Sequence, residues 1–421
     1  MSSVAITKSP PVVVRPSEPV PATDDINLSS YDKYLVSNPT TVLLVFEHPI
    51  QDPVETIKSG LSRALVHYYP VAGRLAAGST AGEIIIKCTR GEGGVSFVAA
   101  SANCAIKDVQ DMSDPSLKEE LLVSYPAADG SCRFSDPLVL MQVTVFSCGG
   151  FVLGVTWNHS VADGVGMGQF LQAVGELSRG APSPSVVPVR QSDCLVSGPP
   201  PVFAKFLRLL YSLQPFPQTV LLDITIKPSL IQRIRDRYSS SVSSGQPCSV
   251  FEAVAAVLWR CRTRAIAAVD PEALTVLYFP SNARTYAGAK EGYYGNCLVW
   301  KLAMATTGMV ASGDVVDLVK MIHGAKGRVP DESDMDELLQ LRDGYNLLRV
   351  TSWRNVGFEA ANFGAGRPGR VMGHWRPEGD VPKCTACIPC VDEYSVSSTC
   401  VKQEHATAFL RELADMHVNY I

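Results

Sequence analysis

The sequence of 421 residues has no basic excess and no long hydrophobic run. Lys and Arg number 37 against 41 Asp and Glu, which gives a formal net charge of -4. Without an overall basic surface, neither nucleic acid nor an anionic membrane is expected as a partner. No apolar run reaches the roughly 18 residues of a membrane span. The first twenty residues lack the apolar core of a secretory signal. We therefore expect a cytoplasmic protein without a membrane span.

Two signatures of common enzyme classes are also missing. The sequence has no G-x-S-x-G string, the nucleophile turn of many serine hydrolases, and no Walker phosphate loop. Gly364, Gly366 and Gly369 do spell G-x-G-x-x-G, but Pro368 lies inside the string and no strong strand pattern precedes it. Dinucleotide binding needs a strand before that loop and a helix after it. The glycine string therefore does not indicate a nicotinamide or flavin enzyme.

The twelve cysteines do not form a pattern that implies disulfides or a metal. Thiols in the cytosol stay reduced and mostly behave as small buried hydrophobic groups. Cys384, Cys387 and Cys390 have metal-like spacing, but no fourth ligand falls at the ferredoxin position. Cys400 has no partner cysteine or histidine at finger spacing. We expect neither a disulfide framework nor a metal site.

Strand and helix patterns alternate along the first half of the chain, as far as Gly180. Residues 181–201 interrupt that alternation with serines and six prolines, three of them consecutive at the end of the segment. A segment rich in Pro and Ser is typical of a linker. The length suits two domains, each with a full core. The sequence therefore predicts domains at 1–180 and 202–421, joined by a linker over 181–201.

The most informative local feature is His159, in the string NHSVADG from Asn158 to Gly164. Two apolar, β-branched runs, Leu138–Phe146 and Phe151–Trp157, precede it and predict a strand hairpin. From Val165 the apolar residues recur at helical spacing. His159 is thus expected at a corner where a strand ends and a helix begins.

An imidazole at such a corner suits general-base chemistry. Its unperturbed pKa of about 6.5 lets it accept and return a proton near neutral pH. Asp163 lies four residues further along the chain. Its carboxylate either orients the imidazole or turns away and braces the corner through an arginine. The sequence leaves both alternatives open.

In the second half, Ser249 begins the clearest helix pattern, which runs towards Ala267. Ser249 and Glu252 have the spacing of a capping box, in which each side chain bonds the backbone N–H of the other. A helix N-terminus also attracts phosphate, so Ser249 is a candidate contact for the phosphates of a ligand. Capping is the favoured interpretation of the two.

Six strings, taken in order along the chain, resemble the BAHD acyl-CoA-dependent acyltransferases of plants. The resemblance covers essentially the whole sequence and is closest to the benzoyl and hydroxycinnamoyl transferase branch. The strings are YPVAGRL at Tyr69–Leu75, NHSVADG at Asn158–Gly164, Asn282–Arg284 followed by YYGNC at Tyr293–Cys297, Thr351–Trp353, and NFGAG at Asn362–Gly366.

The resemblance implies two chloramphenicol-acetyltransferase-like α/β domains with mixed β-sheets and flanking helices. A solvent channel would follow their interface, with His159 at its centre. Acyl-CoA would be the co-substrate and a small alcohol or amine the acceptor, with no metal. The family is mostly monomeric, so a monomer is expected.

The resemblance also implies roles for individual residues. His159 would deprotonate the acceptor, which then attacks the thioester carbonyl directly. Asp163 would point away and pair with Arg284, so these two and Gly164 are expected to support the site structurally. Trp353 and Thr351 match positions that face the developing oxyanion. The candidate contacts for CoA are Ser249, Ser352, Asn362, Gly364 and Gly366.

The implied reaction moves an aromatic acyl group, benzoyl or hydroxycinnamoyl, to a hydroxyl or amine of a specialised metabolite. The second family motif is altered here, because Asn362 stands where the family has aspartate and Ala365 where it has tryptophan. Those departures motivate a second hypothesis, a non-catalytic BAHD-like partner of lipid-elongation enzymes. Activity is the favoured prediction, since the altered segment is thought to lie away from the reacting atoms.

Overall fold

The computed structural model describes residues 4–20, 25–36, 38–88, 93–109, 112, 114–127, 131–242, 247–266, 270–341, 343–374, 381–386 and 394–420. It divides into two compact units. The first unit comprises Met1–Gly198, Ala283–Leu298 and Trp353–His374. The second comprises Pro199–Asn282, Val299–Ser352 and Trp375–Ile421.

Both units contain strands and helices. The strands are β1 Ile6–Lys8, β2 Val12–Val14, β3 Ile26–Asn27, β4 Pro39–Phe46, β5 Arg74–Ala77, β6 Ile84–Lys87, β7 Val95–Ala102, β8 Val139–Val145, β9 Phe151–Asn158, β10 Leu222–Ile226, β11 Leu274–Asn282, β12 Leu298–Thr306, β13 Leu347–Ser352, β14 Arg370–Gly373, β15 Lys383–Ala386 and β16 Tyr394–Thr399. The helices are α1 Ser30–Lys33, α2 Pro53–His67, α3 Pro115–Glu120, α4 Gly164–Ser178, α5 Val202–Ser212, α6 Pro228–Ser241, α7 Val250–Ala265, α8 Thr307–Ser312, α9 Val315–Gly327, α10 Glu332–Leu338 and α11 Gln403–Asn419.

The first unit is built on a mixed sheet in the order β1-β7-β8-β9-β4-β14, with β2 also paired to β7. Strands β8 and β9 form the predicted antiparallel hairpin, and β4 pairs with β9 along eight residues, from Pro39 opposite Asn158 to Phe46 opposite Phe151. All eight residues of β9 are buried. Burial on both faces explains the continuous apolar run in the sequence. A small second sheet, β3-β6-β5, completes the unit.

Helix α4 follows β9 after a short corner and carries glycines where other main chain packs directly against it. A Cβ atom on Gly166 would lie 1.8 Å from the carbonyl oxygen of Tyr294, and one on Gly168 would lie 2.3 Å from that of Val356. Neither distance leaves room for a side chain. These glycines allow the segments Ala283–Leu298 and Trp353–His374 to contact the helix backbone closely.

The second unit has one six-stranded sheet in the order β10-β16-β15-β13-β11-β12. Its core is centred on α7, which is buried around much of its circumference and packs with α9 and α11. Aromatic residues of α7 and β11 pack in this core. The ring centroids of Phe251 and Phe279 lie 5.0 Å apart in an edge-to-face arrangement. Helix α7 begins where the sequence predicts, with Ser249 as its N-cap.

The two compact units differ from the two predicted contiguous domains in two respects. Segments 283–298 and 353–374, predicted in the second domain, return to the first unit, and strand β14 pairs with β4 there. Much of the predicted linker also belongs to the first unit: Val189 bridges to Tyr293, and Arg190 is buried. The proline and serine content of 181–201 indicates a break in regular structure. Residues of this segment nevertheless pair with the first unit and are buried in it.

Among the residues that the structure describes, no helix combines the length and apolar character needed to cross a membrane.

Candidate active site

His159 lies directly after β9, at the predicted corner, and is half-buried. Its backbone N–H donates to the carbonyl oxygen of Asn38 at 2.8 Å. The turn that follows is fixed by Asn158, whose side-chain oxygen accepts from the backbone N–H and the hydroxyl of Ser160 at 3.0 and 2.8 Å. The corner is therefore held on both sides of the imidazole.

Asn296 fixes the proton arrangement of the His159 ring. Its side-chain nitrogen donates to the His159 carbonyl oxygen at 2.7 Å and to an Asp32 carboxylate oxygen at 2.9 Å. Both partners can only accept, so the amide oxygen of Asn296 must face His159 Nδ1, which lies 2.9 Å away. Nδ1 then carries the hydrogen. In the neutral ring, Nε2 presents the lone pair that a general base needs.

Asp163 faces away from the imidazole and forms a bidentate ion pair with Arg284. Two guanidinium nitrogens lie 2.9 Å from its two carboxylate oxygens. The carboxylate also accepts from the backbone N–H of Gly166 at 2.9 Å, which caps α4, and from that of Cys297 at 3.1 Å. Of the two alternatives left open by the sequence, the structure has the arginine pair.

Arg284 also organises the segment that carries Asn296. Besides Asp163, its guanidinium donates to the carbonyl oxygens of Tyr293 at 3.2 Å and Gly295 at 3.0 Å. Burial alone lowers the pKa of Arg284, but the Asp163 carboxylate outweighs burial and raises it. Burial also raises the pKa of the neighbouring Cys297 thiol to about 12. The Arg284 guanidinium therefore stays charged at neutral pH and the Cys297 thiol stays protonated.

Gly164 is the first residue of α4, immediately after the cap Asp163. A Cβ atom here would lie 3.6 Å from the side chain of Val356, an ordinary contact. Close approach of the returning segments therefore depends on Gly166 and Gly168 rather than on Gly164.

The NFGAG segment forms a closed turn in the first unit. The side-chain oxygen of Asn362 accepts from the backbone N–H groups of Gly364 at 2.9 Å and Gly366 at 3.2 Å. Both glycines have positive φ, 114° and 83°, a conformation that other residues rarely adopt. The Asn362 carbonyl oxygen accepts from Arg179, and Phe363 packs edge-on against Phe46 at 5.4 Å. An amide oxygen at position 362 thus supplies the acceptor that closes the turn.

The remaining predicted residues lie in two places. Trp353 belongs to the first unit, where it is buried and packs edge-on against Phe358 at 5.6 Å. Thr351 and Ser352 end β13 in the second unit, and the hydroxyls of Thr351 and Thr385 are 3.0 Å apart. Ser249 caps α7 in a complete capping box with Glu252. Capping occupies the Ser249 hydroxyl, and its contact with CoA stays a prediction.

Within the described part of the chain, no group of three or more His, Cys, Asp or Glu side chains is arranged to hold a metal ion. Cys384 and Cys400 are buried thiols of the second unit. Cys387 and Cys390, the other members of the metal-like cysteine string, lie outside the described residues.

Comparison with known proteins shows the family of this chain. Residues 3–394 match the family described as the Transferase family. A relative from Oryza sativa subsp. japonica, Acyl transferase 15, is 43% identical, with 98% of this chain and 99% of the relative aligned. The chain belongs to the BAHD acyltransferases.

Two further proteins, one curated relative and one solved structure, are similar to this BAHD acyltransferase. Myricetin 3-O-glucosyl 1,2-rhamnoside 6'-O-caffeoyltransferase AT2 from Crocosmia x crocosmiiflora is 33% identical over 98% of this chain and 99% of its own. The crystal structure of vinorine synthase superposes with a TM-score of 0.76 at 20% identity, covering 98% of both chains. The second likeness confirms the expected α/β fold. The family match and the 43% identical acyl transferase show that the chain is an enzyme that transfers acyl groups.

Sequence reasoning missed Asn296 as a site residue of this BAHD acyltransferase. The string YYGNC contributes to the family resemblance, but that resemblance implies no role for its asparagine. Asn296 lies 137 positions from His159 along the chain. The polarity of Asn296 could have indicated a role, because an asparagine in a buried segment must find hydrogen-bond partners. The neighbouring tyrosines and cysteine indicate that this segment is buried.

Proposed function

We propose that this enzyme transfers an aromatic acyl group from CoA to a hydroxyl or amine of a small metabolite, with His159 as the general base. The observation that carries the proposal is the contact between His159 Nδ1 and the amide oxygen of Asn296 at 2.9 Å. A ring protonated at Nδ1 accepts the acceptor's proton at Nε2 without first changing tautomer.

In the proposed reaction, Nε2 takes the proton from the acceptor as its oxygen or nitrogen attacks the thioester carbonyl. The tetrahedral intermediate then expels the CoA sulfur, which receives the same proton from the imidazolium. No acyl-enzyme forms, so His159 starts and ends neutral. The Trp353 indole N–H and the Thr351 hydroxyl are proposed to stabilise the oxyanion, where one well-placed donor contributes about 3–4 kcal/mol.

A hydroxycinnamoyl or benzoyl group is the proposed acyl class. The caffeoyltransferase relative, aligned over nearly the whole chain, acts with a hydroxycinnamoyl group according to its name. The proposed binding set for CoA is Ser249, Ser352, Asn362, Gly364 and Gly366. We further propose a cytoplasmic monomer.

Release of free CoA thiol tests the proposal. The enzyme is offered acetyl-, malonyl-, benzoyl-, p-coumaroyl- and caffeoyl-CoA, each with pooled small alcohols and, separately, pooled aryl amines. We expect acceptor-dependent thiol release with one aromatic acyl-CoA. Exclusive use of acetyl- or malonyl-CoA would refute the aromatic class. No release from folded protein in any combination would favour the non-catalytic partner instead.

A further inference from the structure

A second buried ion pair in the first unit, Asp32 with Arg190, lies behind Asn296 and has no part in the reaction proposed above. A guanidinium nitrogen of Arg190 is 3.2 Å from an Asp32 carboxylate oxygen. Asp32 is fully buried and Arg190 is 4% exposed. Burying two charges costs several kcal/mol per ion unless hydrogen bonds satisfy both groups, so the contacts of this pair need an explanation.

One carboxylate oxygen of Asp32 is devoted to Asn296. It accepts from the Asn296 side-chain nitrogen at 2.9 Å and from the Asn296 backbone N–H at 3.1 Å. The other oxygen accepts from the backbone N–H and hydroxyl of Ser29, at 2.8 and 2.7 Å, and from Arg190. Asp32 is thus fixed by Ser29 and Arg190 on one side and holds Asn296 on the other.

Arg190 connects the same carboxylate to the corner after His159. Its guanidinium also donates to the carbonyl oxygens of Ser160 at 3.0 Å and Val161 at 3.1 Å. Burial alone would lower the pKa of Arg190, but the Asp32 carboxylate outweighs burial and raises it. The guanidinium therefore remains charged, and one cation joins Asp32 to the two residues that follow the base.

The Asn296 amide needs this anchor to keep its orientation. If the amide flipped, its oxygen would face two acceptors, the Asp32 carboxylate and the His159 carbonyl, and its NH2 would face Nδ1. Nδ1 would then have to accept, which places the hydrogen on Nε2 and removes the lone pair used for catalysis. The Asp32 charge makes the unflipped orientation strongly preferred, because hydrogen bonds to ionised groups are roughly twice as strong as neutral ones.

We propose that Asp32, held by Arg190, is a positioning residue that fixes Asn296 and thereby the Nδ1-protonated tautomer of His159. This inference rests on the proposed role of His159 as the base. The tautomer of His159 does not depend on any substrate, so it can be measured separately from transferase activity.

The test is the imidazole nitrogen spectrum of protein labelled with ¹⁵N-histidine, recorded without substrate at alkaline pH, where the ring is neutral. The His159 signals are assigned by their loss in His159→Gln. In the wild-type protein we expect a protonated Nδ1 and an unprotonated Nε2. In Asp32→Asn we expect a mixture of tautomers and a kcat reduced about 10- to 100-fold, the range found for partners that orient histidine ligands in metal sites. The KM for acyl-CoA should not change.

Asp334→Asn is the matched control in the second unit. Like Asp32, Asp334 is the third residue of its helix, completes a capping box, is buried, and pairs with an arginine, Arg328 at 2.5 Å. Loss of a cap and an ion pair should lower its Tm. It should not move the His159 signals or kcat.

A second variant covers the case in which Asp32→Asn does not fold because Arg190 is left buried and unpaired. The double variant Asp32→Asn/Arg190→Gln removes both charges and should show the same mixture of tautomers. If either folded variant keeps the wild-type tautomer, the proposal for Asp32 is wrong. Absence of transferase activity from the wild-type enzyme would instead refute the proposed function, and the nitrogen signals would still decide on Asp32.

Discussion

Gly166→Ala should disturb both stability and catalysis, although it adds a single methyl group in a helix. The new Cβ would lie 1.8 Å from the Tyr294 carbonyl oxygen, whereas real Cβ contacts essentially never fall below 3.0 Å. Helix α4 and the segment that carries Tyr294 must therefore move apart by more than 1 Å. The obstructing atom belongs to the main chain, so no side-chain rotation can relieve the contact.

The magnitude follows from two opposing effects. Alanine is favoured over glycine inside a helix by about 1 kcal/mol, while overpacking of this kind costs about 1–3 kcal/mol or more. We expect a net loss of stability and a Tm lower by about 2–10 °C. Tyr294 is two residues from Asn296, so a shift of this size lengthens the 2.9 Å contact with His159. Misplacement by 1 Å can cost about 10²-fold in rate.

Differential scanning fluorimetry and steady-state turnover with the preferred acyl-CoA measure the two effects. Gly324→Ala in α9 is the control, because nothing lies within 4 Å of the Cβ it would add. That variant should be up to about 1 kcal/mol more stable and fully active. Gly164→Ala, whose Cβ would meet only an ordinary contact at 3.6 Å, is a second control in the same turn of α4 and should keep the wild-type kcat. If Gly166→Ala matches Gly324→Ala in both Tm and kcat, the close packing does not position Asn296.

Three further predictions address other contacts. Asp163→Asn should lower stability by about 3–5 kcal/mol in urea unfolding, because it leaves the Arg284 charge buried with half its partner lost; a loss below 1 kcal/mol would contradict a structural role for the pair. At pH 8, iodoacetamide should modify exposed Cys148 long before Cys297, whose pKa is raised to about 12 by burial, and peptide mass spectrometry distinguishes the two sites. Burial alone raises the pKa of Glu252, but hydrogen bonds from Ser249 and the charge of Lys326 outweigh burial and lower it below its usual value. Ionised Glu252 therefore stabilises the protein above the unfolded-state pKa, which is about 4.3 for Glu. The deficit of Glu252→Gln at pH 7 should shrink as the pH falls below that value and through the lowered folded-state pKa; a deficit that does not change with pH would refute this.

Local patterns predicted the secondary structure around the site well. Helices were expected from Val165 and after Ser249, and α4 and α7 begin within a residue of those positions. The β8–β9 hairpin is also where the apolar runs indicate it. Periodicity and capping are properties of neighbouring residues, so a single sequence reveals them.

The polar contacts that orient His159 were not predictable in the same way. Asp32 contacts Asn296 across 264 positions, and Asn296 contacts His159 across 137. Pairing of this kind depends on which segments return to the first unit. Gly166 and Gly168 of α4 make this return possible, because without side chains they let the backbone of those segments pack against the helix. The spacing of the two glycines predicts a close contact, but it does not predict which segment makes that contact.

The proposed role of His159 as the general base can be measured by single-turnover acyl transfer in His159→Ala. We expect a rate lower by about 10²- to 10⁴-fold, with unchanged Tm and unchanged affinity for acyl-CoA. Transfer at close to the wild-type rate in the folded variant would contradict it.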